Sequence, residues 1–120
     1  MAKKILVVDD EPDLLDVVLT RLEVTGYEVF GGTDGRQALE LARKIMPDLI
    51  ILDIYLPEIK GDEVAKILKS DEKLKHIPII LISATTVSIA LLAKESGADG
   101  YLTKTFEPEE LIAMVKNILG

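Results

Sequence analysis

The sequence predicts an α/β domain built on a doubly wound, five-stranded parallel sheet. Three apolar runs, Ile5 to Val8, Leu49 to Leu52 and Ile79 to Ile82, lack polar alternation, as strands covered on both faces do. Between and after them lie segments with apolar residues at helical spacing. Strand and helix alternate five times without a repeat, linker or low-complexity stretch, which is the pattern of right-handed βαβ units.

Taken in order, the first strand is Ile5 to Val8, and it runs into Asp9-Asp10-Glu11. Pro12 opens a helix whose Leu14, Leu15, Val18 and Leu22 share a face until Gly26. Tyr27 to Phe30 is a weaker second strand. Thr33-Asp34-Gly35 leads into a second helix, whose stripe of Ala38, Leu41, Ala42 and Ile45 closes before Pro47. The third strand, Leu49 to Leu52, ends at Asp53, and Val64, Ile67 and Leu68 mark a third helix after Gly61. The fourth strand, Ile79 to Ile82, ends at Ser83. A fourth helix around Val87 to Glu95 stops at Gly97; Val87, Ile89, Ala90, Leu91, Leu92 and Ala93 leave little of it polar. Tyr101 to Thr103 is a fifth, weaker strand, followed by Lys104. Leu111, Val115 and Ile118 define the last helix, with Pro108 near its start and Glu109 and Glu110 where the helix dipole favours acids. The reading is one domain over residues 1–120, with no room for an output domain.

Composition excludes several classes of function. Hydrophobic residues make up 48% and charged residues 29%, as in ordinary globular proteins. Fourteen Lys and Arg against 21 Asp and Glu give a net charge of -7, which argues against nucleic acid or an anionic membrane as a partner. The absence of cysteine excludes disulfides, thiolate zinc sites and cysteine nucleophiles. No segment approaches the roughly 20 apolar residues of a membrane span. The short apolar run after Lys3-Lys4 meets Asp9 too soon for a secretory signal. The expected location is the cytoplasm.

The chemistry gathers where the strands end, because open α/β sheets bind ligands at their carboxyl edge. With strand order 2-1-3-4-5, the first and third strands flank the topological switch point, and Asp9, Asp10 and Asp53 meet in one crevice. Clustered carboxylates repel unless a cation is present, and oxygen-only ligands suit Mg²⁺. The backbone carbonyl of Tyr55 and a phosphate oxygen would complete its shell. Lys104 offers an ammonium and Ser83 a hydroxyl to phosphate oxygens. Together these groups describe a phosphoryl-transfer site with Asp53 as nucleophile. Singly they say less: Asp9-Asp10-Glu11 reads as helix capping, Asp53 as a strand-end turn residue, Tyr101 as a packed aromatic and His76 as a solvated loop residue.

Val7-Val8-Asp9-Asp10-Glu11, Leu49 to Asp53, Leu56-Pro57 with Gly61, Ser83-Ala84, and Gly97-Ala98-Asp99-Gly100-Tyr101-Leu102-Thr103-Lys104 together resemble a response-regulator receiver domain of the single-domain, chemotaxis type. The match keeps the family's order along the whole chain. It implies a flavodoxin-like (βα)5 fold and an Asp53 that takes a phosphoryl group from a sensor histidine kinase or a histidine phosphotransfer protein. It implies Mg²⁺ held by Asp10, with Asp9 assisting and the Tyr55 carbonyl as a further ligand. Ser83 and Tyr101 match the switch pair, and Tyr55 and Thr85 the positions that tune the lifetime of the acyl phosphate. The implied partners are a separate target protein, met through the fourth helix, fifth strand and fifth helix, and a weak or phosphorylation-dependent second copy.

Two features depart from the family pattern. Thr105 follows Lys104 where proline is usual; a cis bond before a non-proline residue costs about 3 kcal/mol, so trans is expected unless tertiary constraint is strong. The stretch from Ser83 to Lys104 is one residue short, which bears on the shape of the fourth helix. Rival readings fare worse. A flavin binder needs a phosphate loop where Asp9-Asp10-Glu11 stands. A haloacid-dehalogenase-like phosphatase needs an acid where Tyr55 stands. The remaining alternative is a receiver-fold interaction module that works without phosphorylation.

Overall fold

A computed structural model describes residues 2–84 and 88–120. Ten elements alternate: β1 (Lys4–Val8), α1 (Pro12–Thr25), β2 (Glu28–Gly32), α2 (Gly35–Ile45), β3 (Leu49–Asp53), α3 (Gly61–Lys69), β4 (Ile79–Ser83), α4 (Ile89–Ser96), β5 (Gly100–Thr103) and α5 (Pro108–Leu119). The strands form one parallel sheet in the order β2-β1-β3-β4-β5, as the sequence predicts. β1 lies between β2 and β3, with Val8 in register with Gly32 on one side and Leu52 on the other.

The unbroken apolar strands make sense because each side of the sheet is covered. Leu6, Val8, Ile50, Leu52, Ile79 and Leu81 face the core beneath α2, α3 and α4. Ile5, Val7, Leu49, Ile51, Ile80 and Ile82 face the other core, beneath α1 and α5. Successive residues thus alternate between two apolar compartments rather than between core and water. All of these side chains are 0% exposed, and each such burial contributes about 1.5–3 kcal/mol.

Local signals set most helix ends. Gly26 and Gly97 take left-handed φ values of 114° and 80° to close α1 and α4. The Asp34 side chain accepts from Gln37 N–H to cap α2, and Glu107 and Glu110 form a reciprocal capping box on α5. Differences from expectation fall at edges. β2 extends through Gly31 and Gly32, beyond the Phe30 expected from propensity, because their backbones still pair with Val7 and Val8. α4 is described over Ile89–Ser96; Val87, where its start is expected, lies outside the described residues along with Thr85. The Lys104–Thr105 peptide is cis, correcting the expectation of trans. Lys104 is held there by its own N–H to the Ser83 carbonyl at 2.7 Å and by its buried ammonium, while Phe106 packs on the α1–α5 core.

Candidate functional site

β1 and β3 deliver Asp9, Asp10 and Asp53 to the crevice at the switch point. One oxygen from each lies within 4.8 Å of the others. Asp9 is 1% and Asp53 4% exposed, whereas Asp10 faces solvent. Asp9 Oδ1 accepts the Glu11 N–H at 2.9 Å. Its Oδ2 is buried and makes no hydrogen bond among the described residues, although Lys104 Nζ stands 3.1 Å away. Asp53 is held at both oxygens: Oδ1 accepts the Tyr55 N–H at 3.3 Å, and Oδ2 accepts from Lys104 Nζ at 3.1 Å.

Lys104 arrives because β5 continues the ladder beside β4, placing Ser83 in register with Thr103. Its side chain is 6% exposed among Asp9, Glu11 and Asp53. Burial alone would pull the ammonium's pKa down, but the hydrogen bonds to Glu11 and Asp53 and the Asp9 carboxylate beside them outweigh it and leave the pKa raised. Burial pushes the Asp9 carboxyl up; the Glu11 N–H and the Lys104 ammonium oppose this, and the neighbouring Asp53 charge adds to it. The site therefore gathers one ammonium among the carboxyl groups of Asp9, Asp10, Glu11 and Asp53.

The loop from Ile54 to Lys60 is folded tightly over the end of β3. Gly61 N–H donates to the Ile54 carbonyl at 2.7 Å, and a side chain at Gly61 would run into the Asp53 carbonyl. Gly35 meets the same loop from the other side, where a side chain would strike the Ile59 carbonyl. Two glycines thus fix the backbone that carries Asp53.

The other expected residues are spread around this centre. Ser83 is fully buried at the end of β4. Tyr55 is 52% exposed, with Lys60 Nζ 5.7 Å from its ring centroid. Tyr101 is 43% exposed on β5, with its ring outward rather than packed. Thr85 lies outside the described residues. Sequence reasoning assigned Glu11 no place in the site, yet its Oε1 accepts from Lys104 Nζ at 2.8 Å. An acid just before a helix reads as a cap, and no local signal reveals a partner 93 residues away.

Three comparisons bear on this arrangement. The family model for the response regulator receiver domain matches residues 5–116. The chain is 43% identical over 120 residues to the alkaline phosphatase synthesis transcriptional regulatory protein PhoP of Bacillus subtilis, covering 99% of this chain and 49% of PhoP. It is 39% identical over 117 residues to the DNA-binding dual master transcriptional regulator RpaA of Synechocystis, covering 97% of this chain and 48% of RpaA. The chain thus spans about half the length of these curated relatives. The chemotaxis response regulator CheY4 of Vibrio cholerae superposes with a TM-score of 0.92 at 34% identity, covering 98% of this chain and 99% of CheY4.

Proposed function

Because the chain belongs to the response regulator receiver domain family, a family of two-component signalling proteins, we propose that Asp53 is the residue that accepts the phosphoryl group. The observation that carries this reading is the clamp on Asp53: both carboxylate oxygens are held, one by a backbone N–H and one by a buried ammonium, beside two further aspartates.

The donor set suits Mg²⁺. It is all oxygen, and the buried Asp9 Oδ2 lacks a hydrogen bond among the described residues. Asp9, Asp10, Asp53 and the Tyr55 carbonyl would hold the ion, which when bound neutralises charge on the transferring group. In the transfer, an Asp53 oxygen attacks phosphorus. The O–P bond forms as the N–P bond to the donor's phosphohistidine breaks, and the electron pair stays on the imidazole, which then takes up a proton. Lys104 balances charge on the phosphoryl oxygens and the Ser83 hydroxyl donates to one of them. Tyr101, exposed in this form, turns inward with that movement, a population shift that reports the phosphorylated state. Tyr55 and Thr85 set access of water to the acyl phosphate.

The domain is then a signalling protein that catalyses only its own phosphorylation and dephosphorylation. Its partners are a sensor histidine kinase or phosphotransfer protein and a target protein that docks on α4, β5 and α5. Its net charge of -7 disfavours direct contact with nucleic acid. Among the described residues no helix is long and apolar enough to cross a membrane, in keeping with the cytoplasmic location we assign.

Incubation with acetyl phosphate, followed by intact-mass analysis, tests the reading. A gain of one phosphoryl group that requires Mg²⁺ and is absent in Asp53→Asn is expected. Phosphorylation of Asp53→Asn at the wild-type rate would place the acceptor elsewhere. No gain in the wild-type protein would favour an interaction module that works without phosphorylation.

A further inference from the structure

Glu11 has no part in the mechanism above, yet it makes the shortest contact with Lys104. The separation is 2.8 Å, against 3.1 Å to Asp9 Oδ2 and 3.1 Å to Asp53 Oδ2. Glu11 stands at the N-cap of α1, where a carboxylate ordinarily accepts from the N–H groups of the first turn. It makes no such bond. Its backbone N–H steadies Asp9 instead, and its carboxylate crosses to the end of β5. The Glu11 side chain is 59% exposed while Lys104 is 6% exposed, so the pair runs from the surface into the crevice. A cleft of about 130 Å³, lined by Glu11, Leu14, Lys104, Thr105 and Phe106, leaves room for the two to part.

We propose that Glu11 is a positioning residue that competes with the phosphoryl group for Lys104. The inference rests on the reading of Asp53 as acceptor. An ammonium has three N–H donors; two go to Glu11 and Asp53, and the Asp9 carboxylate stands 3.1 Å from the same nitrogen. A phosphoryl group on Asp53 brings further anionic oxygens to that ammonium, and the carboxylates already beside it compete with them. Asp9 is buried and loses its compensation if Lys104 leaves, whereas Glu11 is taken up by water at once. Glu11 is therefore the partner released, and its hold on Lys104 lowers the affinity of the site for the phosphoryl group.

Beryllofluoride, which places a phosphoryl-shaped anion on a carboxylate, measures that affinity at equilibrium. The titration is followed by backbone amide NMR, at Mg²⁺ concentrations saturating for each variant, and the same spectra report folding. Glu11→Gln should bind beryllofluoride roughly threefold to tenfold more tightly than wild type. Loss of negative charge would itself help an anion, so Glu11→Asp separates the two causes. It keeps the charge but, one methylene shorter, falls back from Lys104. Competition for the ammonium predicts that Glu11→Asp also tightens binding; a long-range field predicts the wild-type value and would overturn the proposal. In a Lys104→Ala background Glu11→Asp, which keeps the charge, should change nothing, since the group it acts through is gone. A gain that survives in that background, or equal affinities for wild type and both Glu11 variants, would also overturn it. A wild-type protein that fails to bind beryllofluoride in Mg²⁺ overturns the acceptor reading itself, and the role of Glu11 with it.

Discussion

Asp9 sits in a charge balance that the fold leaves open, and the consequence is a dependence on pH. Burial raises its carboxyl above the ordinary 3.8, so the folded protein keeps that proton to higher pH than the unfolded chain does. The contribution of Asp9 to the stability of the metal-free protein therefore falls as pH rises through the window between 3.8 and the raised value, and that loss remains at neutral pH. Asp9→Asn removes it: without Mg²⁺, thermal melting at pH 7 should come several degrees later than in wild type, and the difference should vanish below pH 3.8. A melting temperature at pH 7 equal to or lower than that of wild type would show that Lys104 compensates Asp9 fully. At this scale the sequence is readable wherever chemistry and position coincide, as at Asp9, Asp10, Asp53 and Lys104, each of which lies at or just past a strand end. It is silent on the Glu11 contact and on the outward ring of Tyr101, because side-chain direction depends on neighbours remote in the chain.

Elements are legible in proportion to their burial. β3 and β4 are covered on both faces and declare themselves through continuous apolar runs, whereas β2 at the sheet edge carries Gly31 and Gly32, which pair through backbone alone. The start of α4 is hard to read because nearly every residue there is apolar, so no stripe marks where the helix begins. Its Leu91 proves 54% exposed while Ile89 and Ala93 are buried. The cis peptide after Lys104 has no signal in Lys-Thr itself. The loop from Ile54 to Lys60 yields the sharpest prediction at this scale. Gly61→Ala pushes a methyl group against the Asp53 carbonyl and should cost about 1–3 kcal/mol, read as a lower urea midpoint with an unchanged slope. With Asp53 as the proposed acceptor, it should also slow phosphorylation by acetyl phosphate, because the backbone of that residue must move. Unaltered stability and rate together would mean that the loop yields without disturbing β3.

Across the whole molecule, the sheet stands between two apolar cores, and the site lies at the carboxyl ends of its strands. Binding a cation there should stabilise the entire fold, since the unfolded chain does not bring Asp9, Asp10 and Asp53 together. At a hundredfold excess over its dissociation constant, Mg²⁺ should add about 2.7 kcal/mol to unfolding by urea. Asp10→Asn should lose most of that gain; equal stabilisation of wild type and variant would mean that Mg²⁺ binds elsewhere. The span of the Lys104 clamp has a consequence during synthesis as well. Lys104 follows Asp53 by 51 residues and Glu11 by 93. A chain still on the ribosome displays its aspartates well before the lysine that completes them has been added. With Asp53 as acceptor, a nascent or prematurely terminated product carries the nucleophile without its cation and stays silent. Translation must pass the fifth strand before the protein can hold a message.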